Sequence, residues 1–117
     1  KLEVISTGYL LIGTENKTAV STVSQTAPMS IDNPDNILHT AQAGEMLGKK
    51  LIYLEAGSGA ENPVPLNIVK LVSENLHVPL IVGGGIRSKA GIQNAFDSGA
   101  DMVVIGTAFE NDFNFFD

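Results

Sequence analysis

The sequence predicts a parallel α/β fold, the C-terminal half of a (β/α)8 TIM barrel with parallel strands inside and helices outside. Four short, almost continuously apolar segments alternate with segments of helical period. That order gives a parallel sheet covered by helices, because strands buried on both faces lose the polar alternation of a half-solvated sheet. Three successive strands also end in glycine, at 57–59, 83–85 and 106, and in such architectures the C-terminal strand ends form the ligand face. A whole barrel takes about 250 residues, whereas the chain has 117. Half a barrel leaves two sheet edges and an inner face uncovered. Residues 1–117 are therefore expected to be one C-terminal half-barrel whose N-terminal half lies outside this chain. The start at Lys1, without an initiator Met or a targeting pattern, reads as a cut.

Taken in order, Tyr9, Leu10, Leu11 and Ile12, introduced by Thr7 and Gly8 and closed by Gly13, form the first buried strand. Residues 14–35 are polar and punctuated by Pro28 and Pro34; only 18–23 suit a brief helix, and an irregular stretch of this size ordinarily covers or lines a site. Asp35 or Asn36 caps a helix running to Gly48, with Ile37, Leu38, Ala41, Gly44 and Gly48 inward, small enough to lie close to a sheet. Residues 51–55 follow as a strand. Its period of two sets Leu51, Tyr53 and Glu55 on one face and Ile52 and Leu54 on the other. Pro65 opens the next helix, where Ile68, Val69, Val72 and Leu76 recur at helical spacing. Leu80, Ile81 and Val82 run as a strand into Gly83, Gly84 and Gly85. Ser88 then caps a third helix with Ile92, Ala95 and Phe96 inward and Gly99 at its end. Residues 102–105 are the last strand, and the tail beyond Asn111 carries three phenylalanines that favour burial.

Lys and Arg number 7 against 13 Asp and Glu, a net charge of −6, which argues against sequence-independent nucleic-acid binding because that needs a basic face. No apolar run is long enough to span a bilayer. The absence of cysteine rules out a disulfide framework and thiolate chemistry, and both facts suit a cytoplasmic protein. Three consecutive glycines before a helix suit close backbone approach to an anion, most simply a phosphate. Plainer roles stand beside these. Tyr53 also suits a core aromatic and Glu55 a strand-end ion pair; Arg87 is expected to pair with Glu61 or Asp101 rather than with phosphate. His39 and His77 read as bystanders, Asp101 as a turn or cap residue, and Met46 as an exposed residue marking a candidate subunit contact.

Tyr53 to Ala60, Val82 to Arg87, Gly99-Ala100-Asp101 and Ile105-Gly106-Thr107, at this spacing, resemble the geranylgeranylglyceryl phosphate synthase family, which includes the bacterial heptaprenylglyceryl phosphate synthases. The likeness runs over essentially the whole chain. It implies a prenyltransferase that joins a polyprenyl diphosphate, such as geranylgeranyl diphosphate, to sn-glycerol 1-phosphate, releasing pyrophosphate and forming an ether lipid precursor. By matching position it implies that Tyr53, Leu54, Glu55, Ala56, Gly57, Ser58 and Gly59 bind glycerol phosphate. Glu55 would hold the glycerol hydroxyls and act catalytically, while Gly84, Gly85, Gly106 and Thr107 complete the phosphate cup. It also implies Mg²⁺ at the diphosphate, with its ligands in the N-terminal half and none here, so that this piece alone is inactive. The prenyl tail is expected in an apolar groove covered by residues 18–28, and the enzyme is expected to be a homo-oligomer. Two other readings are compatible with the residues. One is another phosphate-handling barrel, an isomerase or synthase acting on a sugar phosphate or thiamine precursor, which shares the last two glycine turns but has no need of the run from Tyr53 to Gly59. The other is a half-barrel that binds phosphate without catalysis.

Overall fold

A computed structural model describes residues 2–13 and 28–115. The strands are β1 (Thr7–Gly13), β2 (Met29–Ser30), β3 (Leu51–Glu55), β4 (Leu80–Gly83) and β5 (Met102–Val104). The helices are α1 (Pro34–Met46), α2 (Leu66–Glu74), α3 (Lys89–Asp97) and α4 (Thr107–Asn111). All strands are parallel in one sheet of order β2-β1-β3-β4-β5. Apart from β2, which pairs on the far side of β1, the spatial order β1, β3, β4, β5 follows the chain. A sheet wound in one sense places every crossover helix on the same face, which is the arrangement of half a (β/α)8 barrel.

The pleat sorts side chains as the period of two requires. Ile12, Ile52, Leu54, Leu80 and Val82 point toward the helices and meet Ile37, Ala41, Ile68, Val69, Val72 and Ala95 in one core. Ile52 and Leu54 are fully buried, each worth about 1.5–3 kcal/mol of removed apolar surface. Helix α1 lies close over β1 and β3: a Cβ on Gly8 would come within 2.8 Å of the Ile52 side chain, and one on Gly44 within 3.2 Å.

Several boundaries differ from expectation. Strand β2 is a fifth strand, paired only through Ile12 with Met29 and Gly13 with Ser30; two residues show no period. The cap of α1 is Asn33, whose side chain accepts from the Asn36 N–H at 3.3 Å, and Pro34 takes the first turn. That is a better start than Asp35 or Asn36, because Pro34 has no N–H to satisfy there. Pro65 is the cap residue of α2 rather than its first helical one, and α2 stops at Glu74, short of Leu76. Phe96 is 43% exposed and does not face inward. Ala95 and Phe96 lie on opposite sides of Ile92 around the helix, and α3 reaches the sheet on the Ala95 side. The expected short helix over 18–23 falls outside the described residues.

Beneath the strands, Asp101 Oδ2 accepts from the Leu80 N–H at 2.8 Å while the Asp101 N–H donates to Leu80 O at 2.8 Å, tying the starts of β4 and β5. Glu45 accepts from the His77 N–H at 2.5 Å, joining the end of α1 to the loop before β4. No helix among the described residues is long and apolar enough to cross a membrane.

Candidate functional site

The register stacks inner-face residues in levels. Tyr9, Tyr53, Ile81 and Met102 are aligned across β1, β3, β4 and β5. One level up, toward the C-terminal strand ends, Leu11, Glu55, Gly83 and Val104 are aligned. Glu55 is therefore the one charged side chain of its level, 8% exposed, and a buried carboxylate needs partners. Its Oε1 accepts from the Gly57 N–H at 2.9 Å, and the Tyr53 hydroxyl stands next to the carboxylate, both of them against Gly83. Burial first, and then the neighbouring Glu55 carboxylate, push the Tyr53 phenol far above its usual range. Burial and the Glu55 charge also raise Tyr9, whose ring packs on Tyr53 at 5.3 Å between centroids.

Glycine at 83 makes room for this pair. A Cβ there would lie 2.6 Å from Tyr53 Oη and 3.0 Å from Glu55 Oε2. Gly84 and Gly85 adopt positive φ of 86° and 73°, which L side chains rarely do. The chain thereby turns out of β4 against the loop after β3.

Above Glu55 lies a cavity of about 140 Å³ lined by Glu55, Ser58, Gly59, Gly84, Gly85, Ile86, Arg87, Val104, Gly106 and Thr107. The three glycine-rich turns do converge. Ser58 and Gly59 come from the turn after β3, Gly84 and Gly85 from the turn after β4, and Gly106 and Thr107 from the end of β5. A Cβ on Gly106 would touch nothing within 4 Å, so close packing does not require glycine there. Backbone N–H groups and a hydroxyl around one carboxylate suit a molecule with a phosphate at one end and hydroxyls at the other.

Not every residue expected at the site lines the cavity. Leu54 is fully buried on the helix side and Ala56 is buried in the same core, because the strand's alternation turns them away from Glu55. Tyr53 acts from beneath, through Glu55. Gly57 donates its N–H to the Glu55 carboxylate. Arg87 does not pair with Glu61 or Asp101: its Nη2 donates to Ala60 O at 2.9 Å and Gly59 O at 3.5 Å. Ile86, Arg87 and Val104 were not among the expected ligand-facing residues, and neither was Tyr9 as a support. Alternation alone puts Tyr9 and Val104 on the Glu55 side.

A model of the PcrB family matches residues 1–117. The geranylgeranylglyceryl phosphate synthase of Flavobacterium johnsoniae is 63% identical over 99% of this chain and 48% of its own length. That of Zunongwangia profunda is 54% identical over 94% and 47%. The chain spans about half the length of the curated relatives it matches. Among solved structures, the (S)-3-O-geranylgeranylglyceryl phosphate synthase of Thermoplasma acidophilum, in complex with its substrate sn-glycerol-1-phosphate, superposes with a TM-score of 0.90 and 35% identity, covering 99% of this chain and 46% of that one. The enzyme of Thermoplasma volcanium gives 0.85 and 34%, covering 96% and 44%.

Proposed function

The chain belongs to the PcrB family, and from that membership we propose that it carries the glycerol phosphate half of a prenyltransferase that joins a polyprenyl diphosphate to sn-glycerol 1-phosphate. The observation that carries the reading is the convergence of three strand-end turns on one small cavity with Glu55 at its base. A fold neighbour at TM-score 0.90 holding sn-glycerol-1-phosphate supports it.

In this reading the phosphate sits among the backbone donors of Gly84, Gly85, Gly106 and Thr107 and the Ser58 hydroxyl. The glycerol hydroxyls lie toward Glu55. The hydroxyl oxygen attacks the first carbon of the prenyl chain as the carbon–oxygen bond to the diphosphate breaks. Pyrophosphate leaves with the bonding electrons, and the hydroxyl proton passes to Glu55, which Tyr53 and Gly57 hold in place. Mg²⁺ would supply charge neutralisation at the departing diphosphate. Among the described residues no three His, Cys, Asp or Glu side chains converge, and Glu55 Oε1 is already engaged, so we assign any Mg²⁺ to the half of the barrel outside this chain. The same proposal gives that half the remaining strands and the active enzyme both halves. The acidic balance and lack of cysteine favour a cytoplasmic setting, and Met46, 86% exposed, is a candidate contact in a homo-oligomer.

The test is turnover by the complete barrel. Pyrophosphate release that requires both sn-glycerol 1-phosphate and geranylgeranyl diphosphate, with no consumption of ribulose 5-phosphate, is the expected result. Turnover of ribulose 5-phosphate in place of glycerol phosphate would assign the cavity to a sugar-phosphate isomerase or synthase.

A further inference from the structure

The two turns that wall the cavity meet backbone to backbone. A Cβ on Gly84 would sit 2.5 Å from Glu55 Oε1 and 2.7 Å from Gly57 N, and one on Gly85 would collide with Asn62 and Pro63. Close packing of this kind sets how near the turns can come. Hydrogen bonds across the seam add direction to that packing. At the inner end of the seam the Ala56 N–H donates to Gly83 O at 2.9 Å. At the outer end the bonds across it come from Arg87, whose Nη2 reaches Ala60 O at 2.9 Å and Gly59 O at 3.5 Å.

We propose that Arg87 is a positioning residue that clamps the turn after β3 to the turn after β4 and so holds the wall of the cavity, without itself contacting the phosphate. The proposal rests on the glycerol phosphate reading for what the cavity takes. The clamped peptide is also fixed from its other side. Gly59 O faces Arg87, and the Ala60 N–H, on the opposite edge of the same planar unit, donates to Gly57 O at 3.1 Å. Gly57 in turn donates to Glu55. Hydrogen bonds therefore link Arg87 to the carboxylate in steps, through the Gly59–Ala60 peptide and then through Gly57, whose carbonyl and N–H belong to successive peptide units. The clamped residue is also a partition: Gly59 lines both this cavity and a neighbouring one of about 360 Å³ that reaches Ile12, Ile31 and Val64. Arginine suits the task because its guanidinium stays charged, presents several donors in one plane and is weakly hydrated.

The experiment compares wild type, Arg87→Ala and Arg87→Lys in the complete barrel by steady-state kinetics, together with amide hydrogen exchange of the ligand-free proteins. Arg87→Ala should raise KM for sn-glycerol 1-phosphate about tenfold, the size of a lost charge-assisted hydrogen bond, with kcat within about twofold. The amides of residues 59–62 should exchange faster before any ligand is added. Arg87→Lys should recover part of both effects, and it decides the matter if Arg87→Ala fails to fold. A raised KM with unchanged exchange would make Arg87 a direct phosphate ligand and overturn the clamp, as would an unchanged KM or a fall in kcat alone. A wild-type enzyme that ignores glycerol phosphate would sink the proposed function instead, and the exchange comparison would still decide the clamp.

Discussion

Glu55 stands where a carboxylate is costly, 8% exposed at the base of a cavity, and an unpartnered charge there would cost several kcal/mol. It is kept by the Gly57 N–H beside the Tyr53 hydroxyl, and no buried side-chain polar atom among the described residues lacks a partner. Replacing Glu55 by Gln keeps the shape and one acceptor for Gly57 but removes the proton acceptor. We expect Glu55→Gln to lower kcat about 100-fold or more while KM for glycerol phosphate moves only a few-fold, measured by pyrophosphate release; an unchanged kcat would remove Glu55 from the proton transfer. The pairing of Tyr53 with Glu55 was legible in the sequence because strand alternation is a strict rule. The use of the Gly57 N–H was not, since a glycine in a sequence does not reveal where its amide points. Leu54 and Ala56 came with the motif in which they stand, yet the alternation that selects Glu55 turns them into the core.

The elements divide by how local their causes are. Strand β3 spans Leu51–Glu55 as read, because its apolar pattern and its bounding lysines and glycine lie within a few residues. Strand β2 escaped because two residues pairing across a crossover are fixed by the sheet edge rather than by their own period. The Ser88 cap was legible and is present, its Oγ accepting from the Gly91 N–H at 3.0 Å. The bond from Glu45 to His77, 32 residues away, was invisible because it joins two elements. The His77 N–H, helped by the imidazole contacts and against the upward push of desolvation, holds the Glu45 carboxyl below its ordinary value of 4.5. A depressed folded value means stabilisation that is fully present above 4.5 and lost as pH falls through the lower folded value, once both states are protonated. Glu45→Gln should therefore lower Tm by a small amount above about pH 5. The gap to wild type should close below pH 4.5. A gap that persists undiminished at pH 3 would show that the carboxylate charge is not what ties α1 to this loop.

The molecule as a whole exposes what a closed barrel would hide. Tyr9, Met102 and Val104 on the inner face are 48%, 43% and 44% exposed, and β2 and β5 are the edge strands among the described residues. The edges are weak templates, two and three residues long. The face is the larger liability. Covering three half-exposed apolar side chains is worth about 3 kcal/mol, against roughly 4–15 kcal/mol of lost freedom when two molecules associate. A second copy seated on this face would thus bind weakly. Further strand–helix units joined to the sheet within one chain avoid that cost, which favours completion by the remaining half of a longer protein over pairing of two such halves. Two consequences follow for the 117-residue chain on its own. It should bind an apolar dye and associate reversibly with rising concentration, restrained by its net charge of −6. Met102→Lys, on the inner face but outside the cavity lining, should reduce both. Co-expression with the other half of a relative's barrel should abolish dye binding and yield a 1:1 complex active on glycerol phosphate. A monomer that stays dye-silent at millimolar concentration would show that the inner face is already covered, and the half-barrel proposal would then fail.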